Sequence, residues 1–291
     1  MRKTRSSGSL RTLLTGLAFG ESPRWHEDRL WFSDWIAQEV LAVDLAGKSE
    51  VITRVKSLPF CIDWLPDERL LITSGRSLLR MEPDGSLKTH ADLSSLTDYG
   101  WNEIIADGRG NVYVNGAEFD LMAGEKFAPG IVALLKSDGS AGQVADGVAF
   151  PNGMAVTHDN STLIVAESYG KKLTAFDIAA DGSLSNRRVW ADLGDGVPDG
   201  ICLDAEGAVW YADVPNKRCV RVAEGGKVLQ TFELDRGCFS CALGGTDGTT
   251  LFMMAQEWGG TAGMASEART GQIITAEVLV AGLMHRASAF R

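Results

Sequence analysis

Short apolar runs bounded by turn-forming residues recur along the whole chain, and they are too short and too evenly spaced for helices. Six segments share one order of polar anchor, apolar strand, turn and second apolar strand: Glu21 to Phe32, Phe60 to Ile72, Trp101 to Val114, Pro151 to Val165, Pro198 to Tyr211, and Ser240 to Met253. Their turns are Glu27-Asp28, Pro66-Asp67, Asp107-Gly108, Asp159-Asn160, Glu206-Gly207 and Asp247-Gly248, all pairs that accept tight or left-handed backbone. The first apolar residue after each turn, Leu30, Leu70, Val112, Leu163, Val209 and Leu251, recurs at intervals of 40, 42, 51, 46 and 42 residues. A second set of turn signals lies between them, at Ala46-Gly47-Lys48, Asp84-Gly85, Asp138-Gly139, Asp181-Gly182, Gly225-Gly226 and Thr270-Gly271. Each unit is therefore two hairpins, and a four-stranded unit repeating every forty-odd residues is the arithmetic of a propeller blade.

The pattern predicts an all-β chain, a six-bladed β-propeller with four antiparallel strands per blade. A flexible tail is expected over residues 1–12 and a single propeller domain over 13–291. A β-sandwich or a pair of small barrels would not produce six even copies of one motif. One long insertion is expected, the loop of about a dozen residues after Asn115.

Composition narrows the partners. The 291 residues carry a formal net charge of −10, and no basic stripe follows residue 11, which argues against nucleic acid. Apolar runs such as Leu163 to Ala166 fall far short of the roughly 20 residues that cross a bilayer, so no membrane partner is expected. The stretch after the basic residues Arg2, Lys3, Arg5 and Arg11 is broken by Thr15 and Gly16, and reads as a frayed tail rather than a signal peptide. Five cysteines, at 61, 202, 219, 238 and 241, are an odd number in a chain with ample core, which points to reduced thiols and the cytoplasm.

In a propeller the innermost strands line a central channel, so equivalent repeat positions face one another. Counting back nine to eleven residues from each marker gives Glu21, Cys61, Asn102, Asn152, Asp199 and Cys241. Four of these six carry oxygen donors, and carboxylates and amides aimed at one point repel or go unsatisfied unless something binds them. Hard oxygen ligands suit one divalent ion, Ca²⁺ first, with Mg²⁺, Mn²⁺ and Zn²⁺ as alternatives. The histidines, at 26, 90, 158 and 285, are scattered and offer no nitrogen site. Asp34, Glu118, Glu167 and Asp213 end the second strands and are expected to ring the site at larger radius.

Three motifs, Gly20-Glu21-Ser22-Pro23-Arg24-Trp25, Phe150-Pro151-Asn152-Gly153-Met154-Ala155 and Pro198-Asp199-Gly200-Ile201-Cys202-Leu203-Asp204, resemble the family of senescence marker protein (regucalcin), gluconolactonase and luciferin-regenerating enzyme. The similarity runs over roughly residues 15 to 285. The resemblance implies a metal-dependent hydrolase that opens a lactone ring, a small-molecule substrate, and Glu21, Asn152 and Asp199 as metal ligands. It further implies Asn102 as an additional ligand or substrate contact and Asp199 as general base. Where sugar lactonases of this kind commonly show Arg-x-Asn-Asp-Gly, the chain has Gly100-Trp101-Asn102-Glu103-Ile104, so a flatter or more apolar substrate than a simple sugar lactone is expected. Trp101, Asn102, Glu103 and Glu118 are the expected substrate contacts. A metal-bound hydroxide that Asp199 only orients is a variant of the mechanism. The alternatives are an ester or organophosphate hydrolase on the same site, or a noncatalytic binding propeller that a metal stabilises.

Overall fold

The computed structural model of the protein describes residues 8–260 and 268–282; residues 1–7 of the expected tail, and His285, lie outside the described residues. Five blades follow one another along the chain. The first holds β1's successor strands β2 (Gly20–His26), β3 (Arg29–Asp34), β4 (Glu39–Val43) and β5 (Ser49–Arg54), where β1 is Arg11–Leu17. The second holds β6 (Ile62–Trp64), β7 (Leu70–Ser74), β8 (Ser77–Met81) and β9 (Leu87–Asp92), and the third β10 (Glu103–Ala106), β11 (Val112–Gly116), β12 (Gly130–Leu135) and β13 (Ala141–Val148). The fourth is β14 (Pro151–Val156), β15 (Thr162–Glu167), β16 (Lys172–Ile178) and β17 (Leu184–Asp192), and the fifth β18 (Pro198–Leu203), β19 (Val209–Asp213), β20 (Arg218–Val222) and β21 (Val228–Glu233). All pairings within these sheets are antiparallel. The architecture is the expected all-β, six-bladed propeller with four strands per blade, and all six marker residues fall on the second strand of a blade.

The sixth blade differs from the periodic reading. Its sheet runs β22 (Gly237–Gly244), β23 (Thr250–Gln256), β24 (Gly271–Glu277) and then β1, which comes from the other end of the chain. Arg11 pairs with Thr275 and Leu17 with Gly271, so the strand begins inside the stretch expected to be tail. Thr270-Gly271 accordingly leads into the third strand of its blade rather than joining a third to a fourth. Ring closure uses residues far apart in sequence, which a search for local repeats cannot register.

The core is a set of wedges between neighbouring blades rather than one centre. Leu30, Phe32, Leu41 and Val43 of the first blade pack on Phe252, Met254 and Ile273 of the sixth, and Ile164, Ala166 and Leu173 of the fourth pack on Ile201, Val209 and Tyr211 of the fifth. A sheet covered on both faces buries consecutive side chains, which is why second strands such as β3 and β19 read as apolar runs without alternation. Outermost strands such as β5 are mostly exposed. The expected insertion is the 117–129 loop between β11 and β12. No helix among the described residues is long and apolar enough to cross a membrane.

Candidate active site

Three innermost strands begin in the same way. Gly20 pairs with Asp34, Pro151 with Glu167 and Pro198 with Asp213, and each ladder is then broken by a bulge before Arg24, Met154 and Ile201. Glu21, Asn152 and Asp199 occupy the residue just after each opening pair; Asn152 and Asp199 lie within the bulge, which frees a side chain from the alternation of the strand, while Glu21, still opposite Ser33, directly precedes it. The residue that follows is constrained by the neighbouring blade. A Cβ on Gly153 would lie 2.5 Å from Ile201 N and 2.6 Å from Asp199 O, and one on Gly200 would lie 2.0 Å from Ser240 Oγ. Asn-Gly and Asp-Gly are thus the local solution to two inner strands in near contact. In the first blade the equivalent residue is Ser22, held at φ 50°, with its Oγ accepting from Ile62 N at 3.0 Å.

Asn102 precedes β10 and is tied to the same end of the channel: its amide nitrogen donates to Pro151 O at 3.4 Å. Asn115 lies beside it, fully buried on β11, and donates from Nδ2 to Asn152 O at 2.7 Å, while its Oδ1 has no hydrogen-bond partner. Sequence reasoning passed over Asn115; the signal was an amide inside the otherwise apolar strand Val-Tyr-Val-Asn-Gly.

The electrostatics of the axis are lopsided. Burial pushes Glu21 well above the ordinary carboxylate range, and the charges of Asp199 and Glu103 push it further. Burial likewise raises Asp199 well above its ordinary value, with Glu103 adding to the effect and a hydrogen bond from Asn152 opposing it. Next to them Arg24 reaches Glu103 at 3.4 Å and Asp63 at 3.7 Å, and donates to Ile104 O at 3.0 Å. Glu103 is raised by burial despite this pairing. Among the described residues the group thus sets the carboxyls of Glu21, Asp63, Glu103 and Asp199 against the guanidinium of Arg24. A divalent cation held by Glu21, Asp199 and the amide oxygens of Asn152 and Asn102 fits this excess of buried negative charge, and the all-oxygen donor set suits a hard ion. Three or more His, Cys, Asp or Glu side chains do not gather as a metal cluster among the described residues, so such a site depends on the amides. Arg24 and Asp63 were not anticipated, although Arg24 lies inside the first motif.

The other expected contacts divide. Trp101 is fully buried, packed with Leu71, Ile104 and Val114, and its Nε1 donates to Arg76 O, so it supports the site from the core and does not meet a substrate. Glu103 is in the channel with its carboxylate on Arg24. Glu118 is half-buried in the 117–129 loop and accepts from Thr97 Oγ1 at 2.6 Å. Cys241 does not face Glu21: the register of β22, where Gly237 opposes Gln256, makes Cys238 the counterpart of Asp199. Cys241 packs between the fifth and sixth blades, 3.9 Å from the Cys202 sulfur. Burial works against its thiolate, but hydrogen bonds from Cys202 and Cys219 outweigh that and bring the thiol down to about 5. Asp34, Glu167 and Asp213 lie at the same end of the blades with full sets of partners. A cleft of about 430 Å³ lined by Asp67, His90 and Arg109 opens at the opposite, turn-bearing face and holds none of these groups.

A family model described as SMP-30/Gluconolactonase/LRE-like region matches residues 19–257. The chain belongs to this family. It is 30% identical over 263 residues to regucalcin of Xenopus laevis, covering 82% of this chain and 85% of that protein. It is 27% identical over 252 residues to pentonolactonase XacC of Haloferax volcanii, covering 84% and 83% of the two chains. Among solved structures, a calcium-binding protein, regucalcin, from Agrobacterium tumefaciens superposes with a TM-score of 0.79 at 21% identity, over 95% of this chain and 96% of that one. The family description names gluconolactonase, and one of these relatives is named for a lactonase.

Proposed function

We propose that the protein is a divalent-metal-dependent lactonase whose reaction takes place at the entrance of the axial channel. The observation that carries this reading is the pair of carboxylates at the channel entrance, buried Glu21 and half-buried Asp199, which face one another and Glu103 rather than donors, are both held above the ordinary range, and are flanked by two amides. Glu21, Asn152 and Asp199 would hold the ion, with Asn102 as a fourth donor or a contact to the substrate. Ca²⁺ is the first choice on donor type, and a relative is described as calcium-binding. The chemistry an ion supplies there is polarisation of a carbonyl and stabilisation of the oxyanion that develops on it.

The chain's own contribution centres on Asp199. Its carboxylate accepts the proton of the attacking water, and the hydrogen bond from Asn152 fixes the plane of that carboxylate. The Arg24 and Glu103 pair restrains charge below the site, and the exclusion of bulk water by neighbouring inner strands strengthens each of these interactions. A lactone is the substrate class because the relatives that carry the family include a pentonolactonase. The five free thiols suit a reducing, cytoplasmic setting.

The test is hydrolysis of a lactone panel, from sugar lactones to apolar and aromatic ones, by chelator-stripped protein with Ca²⁺, Mg²⁺, Mn²⁺ or Zn²⁺ restored separately. Turnover that vanishes on stripping and returns with an oxygen-preferring ion is the expected result. Turnover indifferent to metal, or none in folded, metal-loaded protein, removes the reading.

A further inference from the structure

The 117–129 loop carries Phe119 and Phe127 onto the site face, where they meet Phe150 and Tyr169 from the fourth blade. Phe150 stacks on Tyr169 with ring centroids 4.7 Å apart and planes 13° apart. Phe127 lies 5.4 Å from Tyr169, and buried Phe119 supports Phe127, Phe150 and Tyr169 from beneath at 5.7, 5.8 and 6.5 Å. Phe127 and Tyr169 are 47% and 50% exposed, a degree of exposure rare for large apolar groups gathered in one place.

The cluster is joined to the axial site through the backbone. Phe150 directly precedes Pro151-Asn152, and Tyr169 directly follows Ser168, whose Oγ lies 3.5 Å from Asn152 Nδ2 and donates to Pro198 O at 2.7 Å. Phe150 is held at φ 61°, a left-handed conformation that bulky residues rarely adopt, and two backbone bonds pin the crossing: Ser168 N to Phe150 O and Tyr169 N to Ala149 O, both 3.1 Å. The loop is ordered by its own bonds, with Asp120 N and Tyr99 Oη both donating to Glu125 Oε2. The surface is therefore preformed.

We propose that Phe127, Tyr169 and Phe150, on the floor of Phe119, form an apolar subsite that seats a flat aryl substituent of the lactone. This inference rests on the lactonase reading and adds the substrate class to it. Stacked and tilted ring faces favour a flat, apolar group over a hydroxylated one, because a hydroxyl set against π faces gives up water without gaining a partner.

The experiment compares kcat/KM for dihydrocoumarin, an aryl-fused lactone, with kcat/KM for δ-valerolactone, in the wild type and in Phe127→Ala, Tyr169→Ala and the double variant. Both side chains are half exposed, and a thermal unfolding scan confirms that each variant folds. The ratio of aryl to alkyl lactone is expected to fall about fivefold in each single variant and further in the double. Calorimetric binding of 3-(2-hydroxyphenyl)propanoate, the ring-opened aryl acid, is expected to weaken in parallel. Lactone turnover with an unchanged ratio overturns the subsite. If neither lactone is turned over with any metal, the lactonase reading fails, and the calorimetry decides the subsite alone. Aryl-acid binding lost in the double variant then upholds it, and absence of binding to the wild type overturns it.

Discussion

Two sets of carboxylates share one end of the propeller and keep opposite company. Asp34, Glu167 and Asp213 close the second strands of blades one, four and five; Glu21 and Asp199 stand one residue past the partners of Asp34 and Asp213. The outer set is buried and saturated. Asp34 accepts from the backbone nitrogens of Phe19 at 2.8 Å and Ala18 at 2.9 Å, and Asp213 from Arg218 Nε at 2.8 Å and from Asn216. Glu167 accepts from Ala149 N, Thr174 Oγ1 and Arg187, and although burial opposes its charge these partners hold it below the usual carboxylate range. Glu21 is also buried and Asp199 half-buried, yet their neighbours are further carboxylates, and both are pushed the opposite way from Glu167. The residue types are the same, and what separates the two sets is the company each carboxylate keeps: donors around the outer set, further carboxylates around the inner.

The contrast breaks most sharply at Asp199. Asp199→Asn is expected to lower kcat about a thousandfold with metal bound, the scale of a lost general base, while the unfolding midpoint holds or rises because a like-charge contact with Glu21 is gone. Retained activity, or destabilisation, would place Asp199 with the outer set. Next in size, Asp213→Ala leaves Arg218 and Asn216 without their buried acceptor, and urea titration should show a loss of about 3 kcal/mol. A loss near zero would erase the distinction from the structural side.

The smallest effect sharpens the comparison through pH. Because Glu167 is lowered in the folded state, its contribution is complete above the unfolded carboxylate value, about 4.3, and is lost as pH falls through the folded value. The stability gap between wild type and Glu167→Gln, on the order of 2 kcal/mol at neutral pH, should therefore shrink on acidification. A gap that widened in acid would contradict the assigned direction of the shift.

The blade count and the positions of Glu21, Asn152 and Asp199 were legible because turns and apolar runs repeat with the strands, and a carboxylate or amide is anomalous at the entrance of an inner strand. The misassignments have local causes. Trp101 and Asn102 are neighbours in sequence, but successive side chains of extended backbone point to opposite sides, so the amide that reaches the axis sends the indole into the core. Cys241 was displaced because the β22–β23 hairpin is longer: its opening pair, Gly237 and Gln256, lies 19 residues apart (237 to 256) against 15 (198 to 213) for Pro198 and Asp213, so the same count back from Leu251 stops short of the strand entrance. The Arg24 pairing with Glu103 and Asp63 joins three blades, and nothing within a single repeat announces it.

The strand borrowed from the start of the chain gives the ring a seam. The ring is closed there by the row of hydrogen bonds between β1 and β24 and by apolar packing between the first and sixth blades, not by continuous backbone along the sheet. Glu21 belongs to the blade on one bank of that seam, while Asn152 and Asp199 belong to blades reached from the other bank. An ion gripped by all three would work as a spoke across the diameter, so filling the axis would also tighten the circumference, and capturing a ligand and resisting unzipping would become one property of the molecule.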